Sequence, residues 1–167
     1  MNVAGPDEKK RWFEEIVAAN ERRILAISRS YAPAGEREDL CQEILLQMWK
    51  GLEGFQGRSA PSTWVYRVAL NTAITFRRKN GRRITASGSF EEESNADFPA
   101  PSSAEQQVLI LDDFLASLGK IDRAVFLLYL EDLTYAEISE VTGLTESHVG
   151  VRINRLKKVF VRRYCGG

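Results

Sequence analysis

Between Lys10 and Tyr31, apolar residues fall at Phe13, Ile16, Val17, Ile24, Ile27 and Tyr31, a spacing built of threes and fours that predicts one face of a helix. After a break from Ala32 to Gly35, Leu40, Ile44 and Met48 recur at four-residue intervals with Leu45, Trp49 and Leu52 beside them. This predicts a second helix that Gly51 and Gly54 weaken at its end. A polar loop from Gln56 to Ala60 follows, with Ser59 as the expected N-cap and Pro61 just inside a third helix bearing Trp64, Val65, Val68, Ala69, Thr72 and Phe76. That helix is expected to end in the basic stretch Arg77 to Arg83. Further on, Val108, Leu111, Leu115 and Leu118 form another stripe, Gly119 interrupts it, and Asp122 to Leu130 reads as a short apolar helix. Thr134 to Glu137 is a T-x-x-E capping box, so a helix should start at Tyr135 and run through Ile138 and Val141 to Gly143. Thr145 can cap a last helix, Glu146 to about Arg163, with Val149, Ile153, Leu156 and Phe160 inward and Arg152, Arg155, Lys157 and Lys158 outward. No stretch shows a convincing strand period or repeat, so the expected fold class is all-α.

From Ile84 to Ala104 the composition shifts to Ser, Ala, Pro, Asn and Glu, with Glu91, Glu92, Glu93 and Asp97 but no Lys or Arg, as expected of a flexible acidic linker. The chain of 167 residues therefore divides into two small helical domains, residues 1–83 and 105–167, joined by residues 84–104. Its 23 basic and 23 acidic residues cancel, and the bulk charge argues for neither nucleic acid nor membrane. The distribution changes that picture. The first domain has fifteen basic against ten acidic residues, and all six charged residues from Arg67 through Arg83 are basic. All six from Ser147 onward are basic as well: Arg152, Arg155, Lys157, Lys158, Arg162 and Arg163.

The segment Thr134 to Phe160 reads as a helix-turn-helix: a short capped helix, a turn with glycine, then a longer basic helix. In such a unit the first helix braces across the backbone and the N-terminal part of the second enters the major groove. Glu146, Ser147, His148, Val151, Arg152 and Arg155 are the candidates to face DNA; the bland alternative is a helical hairpin with a solvated basic face. In the first half, Phe55 and Gln56 lie in the loop, and Trp64, Tyr66, Arg67, Asn71, Phe76, Arg77 and Arg78 follow on the third helix. Aromatic faces stack on unpaired bases and nearby cations hold the backbone, although Trp64 and Phe76 are equally suited to a core.

Two stretches carry a resemblance to a known family. E-D-L-C-Q-E-I-L-L-Q-M-W (Glu38 to Trp49) with F-Q-G-R-S-A-P-S-T-W-V-Y-R-V-A-L-N-T-A-I (Phe55 to Ile74) resembles region two of the extracytoplasmic-function sigma factors. L-T-Y-A-E-I-S-E-V-T-G-L-T-E-S-H-V-G-V-R-I-N-R-L-K-K (Leu133 to Lys158) is similar to region four of the same family, and the resemblance spans about Phe13 to Arg163. It implies a bacterial transcription initiation factor, not an enzyme, that binds core RNA polymerase, recognises promoter DNA and promotes its melting. Asp39, Gln42 and Glu43 would dock on polymerase, where acidic side chains suit a basic partner. Phe55, Gln56, Ser59, Trp64, Arg67, Asn71, Arg77 and Arg78 would act at the minus-ten element, Phe55 at a pocket for a flipped base. Glu146, Ser147, His148, Val151, Arg152 and Arg155 would read the minus-thirty-five element. The acidic linker would either lie in the polymerase's RNA path or serve as a plain tether, and family members are often held by an anti-sigma factor. Three departures stand out: Thr75, where Asp is frequent; Ser139, where Ala is usual; and His148, Val149, Gly150, Val151, where Thr-Val with polar residues is common.

What the chain lacks narrows the alternatives. There is no glycine-rich phosphate loop and no H-E-x-x-H, and a single histidine leaves little for a zinc site, so neither cofactor nor metal nor small-molecule substrate is expected. No apolar run approaches the roughly 20 residues that cross a bilayer, and the polar start lacks a signal-peptide pattern, so a cytoplasmic protein is expected. Cys41 and Cys165 are too few for a disulfide scaffold; Cys41 reads as a small buried hydrophobe and Cys165 as a free thiol. The alternative function is a stand-alone helix-turn-helix regulator that binds its operator without polymerase; a helical adaptor is a third.

Overall fold

The computed structural model describes residues 6–86 and 103–165. These form seven helices: α1 (Pro6–Tyr31), α2 (Arg37–Gly51), α3 (Pro61–Ala86), α4 (Ser103–Ser117), α5 (Lys120–Leu130), α6 (Tyr135–Thr142) and α7 (Glu146–Tyr164). Short 3-10 turns, Ala34–Glu36 and Leu52–Gly54, flank α2. Among the described residues there is no strand. The linker residues Glu91, Glu92, Glu93 and Asp97 lie outside the described residues.

Several boundaries differ from the sequence pattern: α4 starts at Ser103, inside the expected linker, α5 starts at Lys120 rather than Asp122, and three others differ for a local reason. α1 starts at Pro6 rather than near Lys10, because proline suits a first helical position and Asp7 and Glu8 favour the positive helix end. α3 does not stop at Arg83 but runs to Ala86: Gly81 alone does not end a helix, and no proline follows it there. Ala60, not Ser59, holds the N-cap position of α3, its carbonyl accepting from the Trp64 N–H at 3.1 Å. Pro61 at the first position has no N–H that a Ser59 hydroxyl would need to satisfy.

α1, α2 and α3 pack against one another around Ile24, Ile27, Leu40, Ile44, Met48, Val65 and Ala69, all buried. In the second half α5, α6 and α7 pack together around Val125, Leu128, Ile138, Val149 and Ile153. Rings of Phe114, Phe126, Phe160 and Tyr164 stack edge-on or tilted where α4 meets the others, with centroids 5.1–6.5 Å apart.

The two halves also touch. α1 meets α4, and α3 meets α6. Tyr31, the last residue of α1, donates its hydroxyl proton to the Lys120 carbonyl at 3.1 Å. Arg123, only 2% exposed, donates from Nη1 to the Ser30 carbonyl at 2.9 Å and from Nη2 to the Ala116 carbonyl at 2.6 Å. A longer bond reaches the Leu118 carbonyl at 3.3 Å. The guanidinium thus bridges the C-terminal ends of α1 and α4, where helix dipoles favour a cation.

Candidate nucleic-acid interface

The helix-turn-helix is fixed by its caps. Thr134 accepts from the Glu137 N–H at 3.3 Å, and Glu137 accepts from the Thr134 N–H at 2.8 Å, closing the capping box. The Thr134 N–H foremost, and then the Thr134 hydroxyl, which donates to the same carboxylate at 2.8 Å, hold the Glu137 pKa below the usual carboxylate range. Replacing Thr134 by alanine should cost about 1 kcal/mol of stability, measurable by denaturant unfolding. Gly143 ends α6 at φ 75°, a left-handed backbone that a residue with a Cβ resists. The Ser139 hydroxyl donates to the Leu144 carbonyl at 2.5 Å, so the serine found where alanine is usual ties α6 to the turn. Thr145 then caps α7, accepting from the His148 N–H. Gly150 permits the close packing of the two helices: a Cβ there would stand 3.2 Å from the Tyr135 ring.

On α7, Val149, Ile153 and Leu156 are buried and Phe160 half-buried, as the spacing predicts. Glu146, Ser147, His148 and Val151 are exposed, Val151 at 66%. The basic row is not uniformly solvated. Arg152 Nη1 and Arg155 Nη2 reach the two oxygens of Asp122, at 2.5 and 2.6 Å. Lys157 Nζ lies 4.2 Å from the Tyr129 ring centroid, whereas Lys158 and Arg162 are exposed without such a contact among the described residues.

In the first half, Phe55 is 9% exposed, its ring 5.6 Å from that of Trp12 and 5.3 Å from that of Trp64. It offers no open stacking face here; the loop residues Gln56, Gly57 and Arg58 stand exposed beyond it and Ser59 is half-buried. Trp64 is half-buried, and Tyr66 is turned inward, its hydroxyl accepting from Arg23 Nε at 3.1 Å. Arg67, Asn71, Arg77 and Arg78 are exposed along α3, but Arg67 donates from Nη2 to the Glu140 carbonyl at the end of α6, at 2.9 Å. Asn71 and Arg78 line an open cleft of about 820 Å³ whose opposite wall is Glu43 and Gln47 of α2. Asp39 and Gln42 are exposed on α2, while half-buried Glu43 accepts from Gln47 at 2.8 Å.

Sequence reasoning missed two residues that act on this geometry, Asp122 and Arg123. Both looked like the ordinary polar start of a short helix, and only the fold brings them against α7 and α1. Cys41 is half-buried, its thiol donating to the Ser28 hydroxyl at 3.1 Å, and Cys165 is an exposed free thiol. Among the described residues no group of three His, Cys, Asp or Glu is placed to hold a metal. No described helix is long and apolar enough to cross a membrane.

A three-helix unit with a basic helix and a capped helix-turn-helix make up this all-helical fold. Comparison with known proteins gives its family. Residues 16–83 match the Sigma-70 region 2 family and residues 108–160 match the Sigma-70, region 4 family. The chain is similar to the ECF RNA polymerase sigma-E factor of Escherichia coli K12, 28% identical over 160 residues, covering 87% of this chain and 83% of that one. It is 25% identical over 162 residues to the corresponding factor of Haemophilus influenzae, covering 90% and 86%. Among solved structures, the sigma factor RpoE of Bartonella quintana, in complex with the anti-sigma factor NepR, superposes with a TM-score of 0.73. That pair shares 20% identity over 90% of this chain and 94% of the other, a likeness of fold. The chain belongs to the sigma-70 family, in its extracytoplasmic-function branch, and is a sigma factor of transcription initiation. That family is not known for catalysis.

Proposed function

We propose that this chain works in the bacterial cytoplasm as a non-catalytic subunit that brings core RNA polymerase to promoters, with each step assigned to named residues. Residues 1–83 bind polymerase and the minus-ten element, residues 105–167 bind the minus-thirty-five element, and residues 84–104 join them. Asp39, Gln42 and Glu43 present an acidic face of α2 to a basic surface of polymerase. Gln56 and Ser59 receive a flipped base of the minus-ten element, with Phe55 and Trp64 holding the loop from beneath. Asn71 contacts the same element, and Arg67, Arg77 and Arg78 hold its phosphates. Arg67 spends one nitrogen on the Glu140 carbonyl and keeps its other donors for a phosphate. Glu146, Ser147, His148 and Val151 enter the major groove of the minus-thirty-five element with Arg152 and Arg155, Val151 suiting a thymine methyl. An anti-sigma factor is a further partner, as the Bartonella quintana protein has.

The observation that carries this reading is the exposed first half of α7, an apolar valine among polar and basic side chains on a helix-turn-helix fixed by two caps. The experiment is co-elution of the protein with bacterial core RNA polymerase at physiological salt, where non-specific basic contacts weaken. A one-to-one complex is expected. No complex, with tight binding to duplex DNA alone, would replace this reading by that of an independent regulator. Within the complex, Arg155→Ala should weaken binding to the preferred duplex by about 1 to 3 kcal/mol and relax specificity at one base pair, read from affinities for matched and single-mismatch duplexes. Unchanged affinity and specificity would remove Arg155 from the base contacts.

A further inference from the structure

Asp122 lies outside the helix-turn-helix, in the first turn of α5, yet its carboxylate touches two residues of the DNA-facing helix. Oδ1 accepts from Arg152 Nη1 at 2.5 Å and Oδ2 from Arg155 Nη2 at 2.6 Å. Arg152 and Arg155 stand three apart on α7, one turn of the same face, so a single carboxylate reaches both. The N-terminus of α5 favours the negative charge of Asp122, and its side chain is 22% exposed, while those of Arg152 and Arg155 are 34% and 58% exposed. A guanidinium has five N–H donors in a rigid fork. Asp122 takes one nitrogen of each and leaves the outer donors of both available. Two cations against one anion also leave the site net positive, as contact with DNA requires.

Resting on the assignment of α7 to the minus-thirty-five element, we infer that Asp122 is a positioning residue for promoter reading, its carboxylate clamping Arg152 and Arg155 in the orientation they present to the major groove. Free arginine side chains lose rotamer freedom when they bind, and a clamp applied before binding removes that loss from the recognition step. Orientation is what base reading needs, since a bidentate contact to guanine is planar, whereas a phosphate contact tolerates many angles. Asp122 therefore acts on discrimination between sequences more than on total affinity.

The test uses the full chain with bacterial core polymerase and two duplex probes: one enriched from a randomised pool by the unaltered holoenzyme, and a shuffled duplex of the same composition. Asp122→Asn keeps the shape and removes the charge. It should lower the preference for the enriched duplex by about fivefold or more, while binding to the shuffled duplex stays level or rises. In a background carrying Arg152→Ala and Arg155→Ala, the same change should have no further effect. A fall in discrimination that persists in that background would mean Asp122 acts through the fold, and would overturn the inference. Equal gains on both duplexes would make Asp122 a screen rather than a clamp, and would overturn it too. Unchanged binding to both probes would do the same while leaving the reading of α7 intact. Failure of the unaltered holoenzyme to enrich any duplex would reject that reading and the inference together.

Discussion

Arg123→Ala is expected to destabilise the protein by roughly 3 to 5 kcal/mol, measured as a lower midpoint of denaturant unfolding. The residue is buried, and among the described residues its hydrogen-bond partners include no carboxylate; its charge is met by carbonyls of Ser30, Ala116 and Leu118. Burial, and then the nearby Arg77, push its pKa down, so those carbonyls offset a charge that burial penalises. Truncation removes the side chain from beneath the Tyr31 ring, 5.2 Å away, and leaves acceptors at two helix ends without a donor. Arg123→Met separates the two losses: it refills much of the volume but donates nothing, so it should recover part of the stability. Lysine should also fall short, since one nitrogen cannot reach carbonyls on both α1 and α4 as a fork does. If Arg123→Ala unfolds within about 0.5 kcal/mol of the unaltered chain, the bridge between the halves is not formed in solution.

The same junction has a pH signature. Burial pushes the Tyr31 pKa up to about 12 from an ordinary value of 10.0, against the opposing pull of Arg123 and Arg77. A pKa raised on folding favours the neutral phenol in the folded state. Its contribution is therefore complete below pH 10 and lost as pH rises through about 12. Alkaline unfolding should begin in that window and weaken with Tyr31→Phe, which cannot ionise.

Local chemistry made most of the fold legible. The stripe Leu40, Ile44, Met48 is buried in α2, and the capping box at Thr134 and the left-handed Gly143 bound α6. These are contacts within a few residues, so spacing and side-chain type decide them. Ser59 lost the cap because a proline two residues on altered which N–H groups needed a partner. The candidate residues were legible as a list of positions on α3 and α7 but not as a network. Nothing in the spacing of Asp122, Arg152 and Arg155 says that one carboxylate reaches two guanidiniums across 30 and 33 residues. Nor does it say that Phe55 would be wedged between Trp12 and Trp64, since Trp12 lies 43 residues away in the sequence. Long-range pairings depend on how helices cross, and the pattern along one helix does not contain that angle.

Phe55→Ala is expected to slow opening of a closed promoter by about tenfold or more, and to leave initiation on a pre-opened, mismatched template within about twofold. Phe55 closes the turn after α2, its N–H bonded to the Leu52 carbonyl at 3.1 Å, and its ring sits between Trp12 and Trp64. From that anchor the chain turns outward through Gly57 at φ 67° into the exposed loop. Removing the ring frees the loop to sample many shapes, so a base leaving the stack finds no prepared pocket to offset its lost stacking. A template already open has met that cost, and the defect should shrink there. Loss of the aromatic contacts also costs roughly 3 kcal/mol of stability, which by itself would reduce both templates alike. Phe55→Leu keeps most of the volume and should lie between the two forms on the closed promoter. Equal impairment of Phe55→Ala on closed and pre-opened templates would reduce Phe55 to a core residue with no part in base capture.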